Sequence, residues 1–292
     1  MPGTAVLAGC GDLGTRVGLR LAARGYPVHG IRRNANRVAA PITGHPLDLR
    51  RDVPRLPADT TLVVVALTAD TRDERGYRDT YLTGLGNLLD GIDRDLPEAP
   101  RTILVSSTAV YGVDDGSWVD EHTPAVPTTR TATVLREAEE QLHARLPGAI
   151  VLRLAGLYGP AHNRLLASVR DGTATLSLAP TYTNRIHRDD AAAAITHLGT
   201  QVADPHQIYL GADDEPAERG ELLRYLADKL GVAGPPVTGQ PASRGSGKRC
   251  RNDRLHGTGF TLTYPTYREG YRDLITSLSL VFNPVLLGRD PG

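Results

Sequence analysis

The chain has 292 residues, 40% hydrophobic and 23% charged, an ordinary composition for a globular protein and enough for one large α/β unit or a domain plus a lobe. Thirty-three basic and thirty-three acidic side chains cancel, which argues against general binding to nucleic acid or to an anionic membrane. Lys229 and Lys248 are the only lysines, so chemistry that needs a tunable amine has two candidates, both in the last quarter of the chain.

Thr4–Ala8 is an apolar run bounded by glycine and predicts a buried strand. Leu13, Val17 and Leu21 follow at four-residue spacing, with Arg16, Arg20 and Arg24 as the polar stripe of a helix. Residues 26–31 and 61–67 read as strands, the second apolar on both faces. Leu82, Leu85, Leu88, Leu89, Ile92 and Leu96 share one face of a long helix, and residues 102–106 and 150–154 read as further strands. This alternation predicts an α/β fold, a Rossmann-type doubly wound parallel sheet. Past about residue 155 glycine and proline become frequent. Helices are expected over 189–198 and 217–230, and a flexible loop over 243–247. The expected organisation is a dinucleotide-binding domain over 1–155, a smaller substrate lobe over 156–275, intertwined with it, and a C-terminal tail over 276–292.

Cys10 and Cys250 are too few for a disulfide framework or a cysteine zinc site, and no metal site is expected. The sequence opens without a basic leader, and the apolar stretch 278–287 is interrupted by Asn283 and Pro284. A reduced, cytoplasmic protein is the expectation. Its expected partner is a small-molecule substrate rather than nucleic acid or membrane, with a homodimer left open.

Gly9-Cys10-Gly11-Asp12-Leu13-Gly14 is a G-x-G-x-x-G sequence placed between the first strand and the first helix, where a dinucleotide fingerprint belongs. Gly9 would permit the tight turn, Gly11 the approach of pyrophosphate and Gly14 the helix–sheet contact, with the helix N-terminus offering N–H groups to the phosphates. The second strand ends in Arg32-Arg33 with no carboxylate, which suits the extra phosphate of NADP better than NAD, though NAD stays possible; solvated surface charge is the plainer alternative. Asp48 lies where an adenine-edge contact could form, or it caps a following helix. Leu49, Leu67 and Ser106 complete the candidate cofactor contacts. Cys10 reads as a small filler in the turn.

The chain resembles the extended or atypical short-chain dehydrogenase/reductases of the NAD-dependent epimerase/dehydratase family. The resemblance rests on the glycine loop, on Ser106-Ser107-Thr108-Ala109-Val110-Tyr111-Gly112, on Arg153-Leu154-Ala155-Gly156-Leu157-Tyr158-Gly159-Pro160 and on Arg185-Ile186-His187-Arg188-Asp189-Asp190-Ala191. These follow one another in family order across most of residues 1–200, with weaker similarity to about residue 270. The resemblance implies a serine at Ser107 that orients the reacting oxygen. It also implies a tyrosine and a lysine four residues apart on the next helix, sharing one face so that the lysine tunes the tyrosine. Here those positions fall on Thr131 and Leu135, and no tyrosine occurs between Tyr111 and Tyr158.

Substitutes for the missing acid are sought in Tyr182 and Tyr158, each of which has a structural alternative. Arg185 could hold an anionic substrate or form a structural ion pair, and His187 could titrate near neutrality or support the helix after it. Tyr111 is expected to satisfy its hydroxyl internally, and Asp120 and Glu121 to cap a loop. The basic run of Lys248, Arg249 and Arg251 is expected to form a lobe-closing surface or a substrate-phosphate contact. The leading expectation is an NADP-binding oxidoreductase or epimerase-like enzyme with a remodelled proton-transfer site. A non-catalytic NADP sensor, or a dehydratase or lyase on the same scaffold, is the alternative.

Overall fold

Alternation along the first apolar run decides how it is buried. In the computed structural model, which describes residues 2–160, 163–238 and 247–282, strand β1 (Thr4–Ala8) is covered on both faces. Ala5 and Leu7 point into one core and Val6 and Ala8 into another. Helix α1 (Asp12–Ala22) follows, then β2 (Val28–Ile31), β3 (Thr43–His45) and β4 (Thr60–Val65), whose Leu62 and Val64 join the first core while Val63 and Val65 join the second. Helix α2 (Glu74–Tyr77), a π-helical stretch (Arg78–Thr83) and α3 (Gly84–Asp95) form one continuous helical run before β5 (Arg101–Ser107). After β6 (Trp118–Val119), helix α4 (Arg130–Arg145) leads to β7 (Ile150–Leu154) and β8 (Gly156–Tyr158).

The second half supplies α5 (Arg164–Arg170), β9 (Tyr182–Thr183), β10 (Arg185–His187), α6 (Arg188–Thr200) and β11 (Ile208–Gly211). It ends with β12 (Ala217–Glu218), α7 (Arg219–Leu230), β13 (Arg249–Cys250), α8 (Asp253–His256) and α9 (Tyr267–Phe282). Seven strands form one parallel sheet in the order β11-β7-β5-β4-β1-β2-β3. Apolar faces of α1 and α6 cover one side, through Val17, Leu21, Ile195 and Leu198; α3 and α4 cover the other, through Leu85, Leu88, Leu89 and Leu142. Fully covered faces are what parallel sheets require. A third core, built from Tyr158, α5, α7 and α9, makes the smaller lobe. The outermost strand β11 and the helix α6 packed on α1 come from beyond residue 155, so the second half of the chain completes the sheet layers.

The strand expected over 61–67 stops at Val65, and Ala66 and Leu67 leave the sheet to form the floor of a groove. The helix expected from residue 217 starts at Arg219: residues 217–218 pair with β9, and the Glu218 carboxylate accepts from the N–H groups of Gly220 and Glu221. Helix α9 runs through residues 276–282, where a tail was expected. Residues 243–246 of the expected loop, and 283–292, lie outside the described residues. Among the described residues, no helix is long and apolar enough to cross a membrane.

Candidate active site

Beyond β1 the chain goes out to β2 and β3 and then returns to β4 on the other side, so a crevice opens at the strand C-termini between the two directions. The glycine turn fills its mouth. Gly9 has φ +93°, a conformation that side chains avoid, and a Cβ there would strike the Ala66 carbonyl. A Cβ at Gly14 would strike the Gly9 carbonyl, whereas Gly11 faces open space. Gly9 thus makes the turn and Gly14 the helix packing that the spacing predicts, and the open space at Gly11 leaves room for a ligand. No side chain caps the start of α1 at Gly11, which leaves its first N–H groups to a ligand. Cys10 is buried, and desolvation raises its thiol pKa despite Thr15 and Arg32 nearby, as a filler requires.

At one end of the crevice a cavity of about 250 Å³ is lined by Arg32, Arg33, Asp48, Leu49, Arg50 and Asp70. Arg33 makes a two-pronged contact with Asp70 (2.7 and 2.6 Å), and Arg50 bridges Asp48 (2.9 and 2.7 Å) and Asp70 (2.8 Å). Arg32 donates to the Cys10 carbonyl at 3.1 Å. Three guanidiniums therefore face two carboxylates. Asp48 caps no helix; its carboxylate accepts from the Arg50 N–H at 3.1 Å in a local turn, and the Arg50 side chain holds its pKa down at about 2. Arg50 and Asp70 went unnoticed in the sequence because each lies in an irregular segment and only folding brings them together.

The crevice continues past Gly11, Ala66, Leu67 and Thr68 into a cavity of about 480 Å³ above β4 and β5, which Asp12, Leu13 and Gly14 also line. Ser107, at the end of β5, lines it and accepts from the Ala109 N–H at 3.1 Å. The Ser106 hydroxyl instead donates to Glu139 at 2.6 Å. Glu139 in turn accepts from Arg153 at 3.0 and 2.6 Å, and Arg153 donates to the Tyr111 hydroxyl at 2.7 Å. The hydroxyls of Ser106 and Tyr111 thus belong to a buried network, as expected for Tyr111, while Ser106 also lines the cavity. Thr131 and Leu135, four residues apart on α4, both face the cavity.

Two further phenols line it, Tyr77 at the end of α2 and Tyr81 one turn on, with ring centroids 5.2 Å apart. Their four-residue spacing was the available signal, hidden because both precede the leucine periodicity that marks the helix. Tyr81 donates to the Leu67 carbonyl at 3.3 Å, and burial pushes its pKa up to about 12. The Tyr77 hydroxyl makes no hydrogen bond among the described residues.

Neither tyrosine expected to replace the acid lines this cavity. Tyr158 packs on Tyr271 (4.7 Å) and against His187 (5.2 Å), and burial raises its pKa far above the ordinary value. Tyr182 sits in β9 with the Arg249 guanidinium 4.8 Å from its ring. His187 is buried, caps α6 by accepting from the Asp189 N–H at 3.3 Å, and has its pKa lowered by desolvation. Arg185 forms no ion pair among the described residues; it donates to the hydroxyls of Thr183 and Tyr271. Asp120 caps its loop through the N–H groups of His122 and Thr123, while Glu121 is buried and accepts from the Leu210 N–H at 2.8 Å. Lys248 does not form a surface. It is 2% exposed and donates to the Tyr111 carbonyl at 3.2 Å, pinning the lobe to the serine loop, and burial lowers its pKa.

A glycine turn at the switch point of a parallel sheet, opening onto a serine-edged cavity, defines a Rossmann-type dinucleotide-binding protein. Over 95% of this chain and 99% of the other, it is 32% identical to a Methylobacillus flagellatus protein assigned by name to the NAD-dependent epimerase/dehydratases, with a TM-score of 0.79. The chain belongs to the NAD-dependent epimerase/dehydratase family of the short-chain dehydrogenase/reductase superfamily. A Silicibacter pomeroyi protein of unknown function is 28% identical over 94% of this chain and 99% of its own (TM-score 0.76). A human epimerase family protein solved with NADPH shares the fold at 21% identity over 94% and 99% (TM-score 0.75). No protein-family model and no curated protein matches the chain.

Proposed function

We propose that the protein is an oxidoreductase or epimerase-like enzyme that prefers NADP and exchanges the substrate proton without a tyrosine–lysine pair. The observation that carries this reading is the continuous crevice from three arginines, past the open face of Gly11, to Ser107. Gly9, Gly11 and the start of α1 would hold the pyrophosphate, and Arg32, Arg33 and Arg50 the ribose phosphate. The bound dinucleotide supplies or accepts hydride. Ser107 then orients the substrate oxygen, with Thr131 beside it and Leu135 keeping the wall apolar. Of the ionisable groups that line the cavity, Asp12 is paired with Arg188 and Tyr81 is bonded to the main chain. Tyr77 is the phenol left to pass a proton to or from the substrate oxygen.

Fluorescence titration of the full chain with NADPH and with NADH tests the cofactor assignment. Saturable binding with NADPH the tighter is expected; binding of neither overturns the proposal, and tighter NADH overturns the role of the arginines. A panel of carbonyl compounds, followed by NADPH absorbance and by product analysis, then separates net reduction from epimerisation. No conversion in either readout overturns the catalytic part.

A further inference from the structure

Leu157 lines the chemistry cavity on one side and a neighbouring cavity of about 340 Å³ on the other. Three arginines line this second space: Arg72 ahead of α2, Arg164 at the start of α5 and Arg185 in β10. Its lining contains no carboxylate. Several arginines elsewhere are matched by an acid, as Arg33 is by Asp70, Arg145 by Asp90 and Arg153 by Glu139. Here none of the three has an acid within ion-pair distance among the described residues. Arg185 is only 6% exposed, and its Nε has no hydrogen-bond partner among the described residues. The Tyr158 hydroxyl beside it is likewise buried without a partner.

Asp213 is the acid nearest to balancing Arg185, since its N–H bonds to the Arg185 carbonyl at 2.7 Å. Its carboxyl is nevertheless buried with both oxygens unpartnered, and desolvation raises its pKa well above the usual range despite Arg185. Asp213 therefore forms no ion pair with Arg185, whose guanidinium meets the rings of Tyr267 and Tyr271 and no carboxylate among the described residues. Converging cations around an acid-free cavity repel one another, and a buried N–H without a partner costs free energy. An anion cancels both penalties, and planar guanidiniums suit its oxygens.

We propose that this cavity is an anion subsite, in which Arg72, Arg164 and Arg185 hold a carboxylate or phosphate group of the substrate while its reacting carbon lies beside Ser107. The proposal rests on the assignment of the crevice as the reaction site and adds the class of substrate, a small anionic carbonyl or hydroxy compound. Leu157, shared by both cavities, is where such a molecule would bridge them.

Calorimetric titration of the full chain with inorganic phosphate and, separately, with acetate at constant ionic strength provides the test. Saturable binding of at least one probe is expected, and the tighter one tells a phosphate ester from a carboxylate. Arg72 and Arg164 are exposed, so Arg72→Gln and Arg164→Gln fold-safe variants should each weaken it by roughly three- to tenfold, the double variant more. Arg55→Gln, at an exposed arginine that lines neither the crevice nor either cavity, should leave it unchanged. No saturable binding of either probe overturns the subsite. So does binding that Arg33→Gln abolishes and Arg164→Gln does not, because the anion then sits in the crevice. NADPH titration of the unsubstituted chain keeps the two readings apart: saturable anion binding without NADPH binding refutes the cofactor assignment, and NADPH binding without anion binding refutes only the subsite.

Discussion

Asp12 and Arg188 stand 176 residues apart in sequence and form an ion pair at the edge of the chemistry cavity. Asp12 opens the helix of the glycine turn and Arg188 opens α6, so the pair ties the nucleotide loop to the second half of the chain. Burial raises the pKa of Asp12, but Arg188 and Arg16 outweigh it and hold the carboxyl below its usual value. Arg188→Met should destabilise the protein by about 1–2 kcal/mol, reduced from the buried-pair range because Asp12 keeps some solvent. It should also weaken NADPH binding. Because the folded pKa is depressed, the contribution is present above about pH 4 and disappears as pH falls through the folded value. Urea midpoints at neutral pH and near pH 2 check this; a difference from wild type that does not shrink at the lower pH would contradict it.

Glu139 and Arg153 are both almost fully buried, and they connect β5, α4 and β7 under Ser107. Removing one charge strands the other. Glu139→Ala should cost about 3–5 kcal/mol in urea unfolding, and an added Arg153→Met should recover much of the loss. Additive losses in the double variant would show that the pair is not the unit assumed here.

Asp213 carries the opposite sign of pH dependence to Asp12. Its folded pKa is raised by burial, so its contribution is fullest below the unfolded value of about 3.9 and declines as pH rises toward the folded one. Asp213→Asn mimics the protonated form. The variant should unfold at higher urea than wild type near pH 8, with the gap closing toward pH 4. Equal midpoints at every pH would mean that the carboxyl is not held protonated.

The Asp70 carboxylate occupies the Arg33 guanidinium and would compete with a phosphate for it. With NADP bound, the phosphate would replace the Asp70 carboxylate on Arg33. Arg33→Ala should therefore raise the Kd for NADPH by roughly tenfold or more while changing NADH little, whereas Asp70→Asn should tighten NADPH severalfold. Parallel titrations of both cofactors decide; equal effects on NADH and NADPH would place the ribose phosphate elsewhere.

Tyr77→Phe removes one oxygen from the chemistry cavity and leaves the ring that packs on Tyr81. Turnover should fall by about 10²–10⁴-fold with NADPH affinity unchanged. Ser107→Ala should lower turnover as well, whereas Tyr158→Phe and Tyr182→Phe should not act through proton transfer. Full activity in Tyr77→Phe would return the search to ordered water or to a residue of the substrate.

How much was legible in the sequence follows from how local each feature is. The glycine turn was legible because steric limits on φ and on close approach act within six residues: Gly9 and Gly14 pack as their spacing implied, and Gly11 faces open space. The sheet was legible because burial on both faces leaves continuous apolar runs, as in Thr4–Ala8 and Thr60–Val65. The burial of Lys248 was not legible, because a single charged residue carries no local sign that a loop more than a hundred residues away will cover it.

By itself, then, the sequence determined the parallel α/β scaffold, the dinucleotide turn, the family and the placement of Thr131 and Leu135 where a tyrosine and a lysine are expected. Those features are set by chain periodicity and by contacts between near neighbours. Only the tertiary structure decided which side chains share a cavity. It brought Tyr77 into the chemistry cavity with Ser107, turned Tyr158 and Tyr182 away from it, set Arg50 and Asp70 beside Arg33, and gathered Arg72, Arg164 and Arg185 around an acid-free space. Such meetings depend on helix packing and on the crossing of distant segments, and neither leaves a period in the chain for a reader to find.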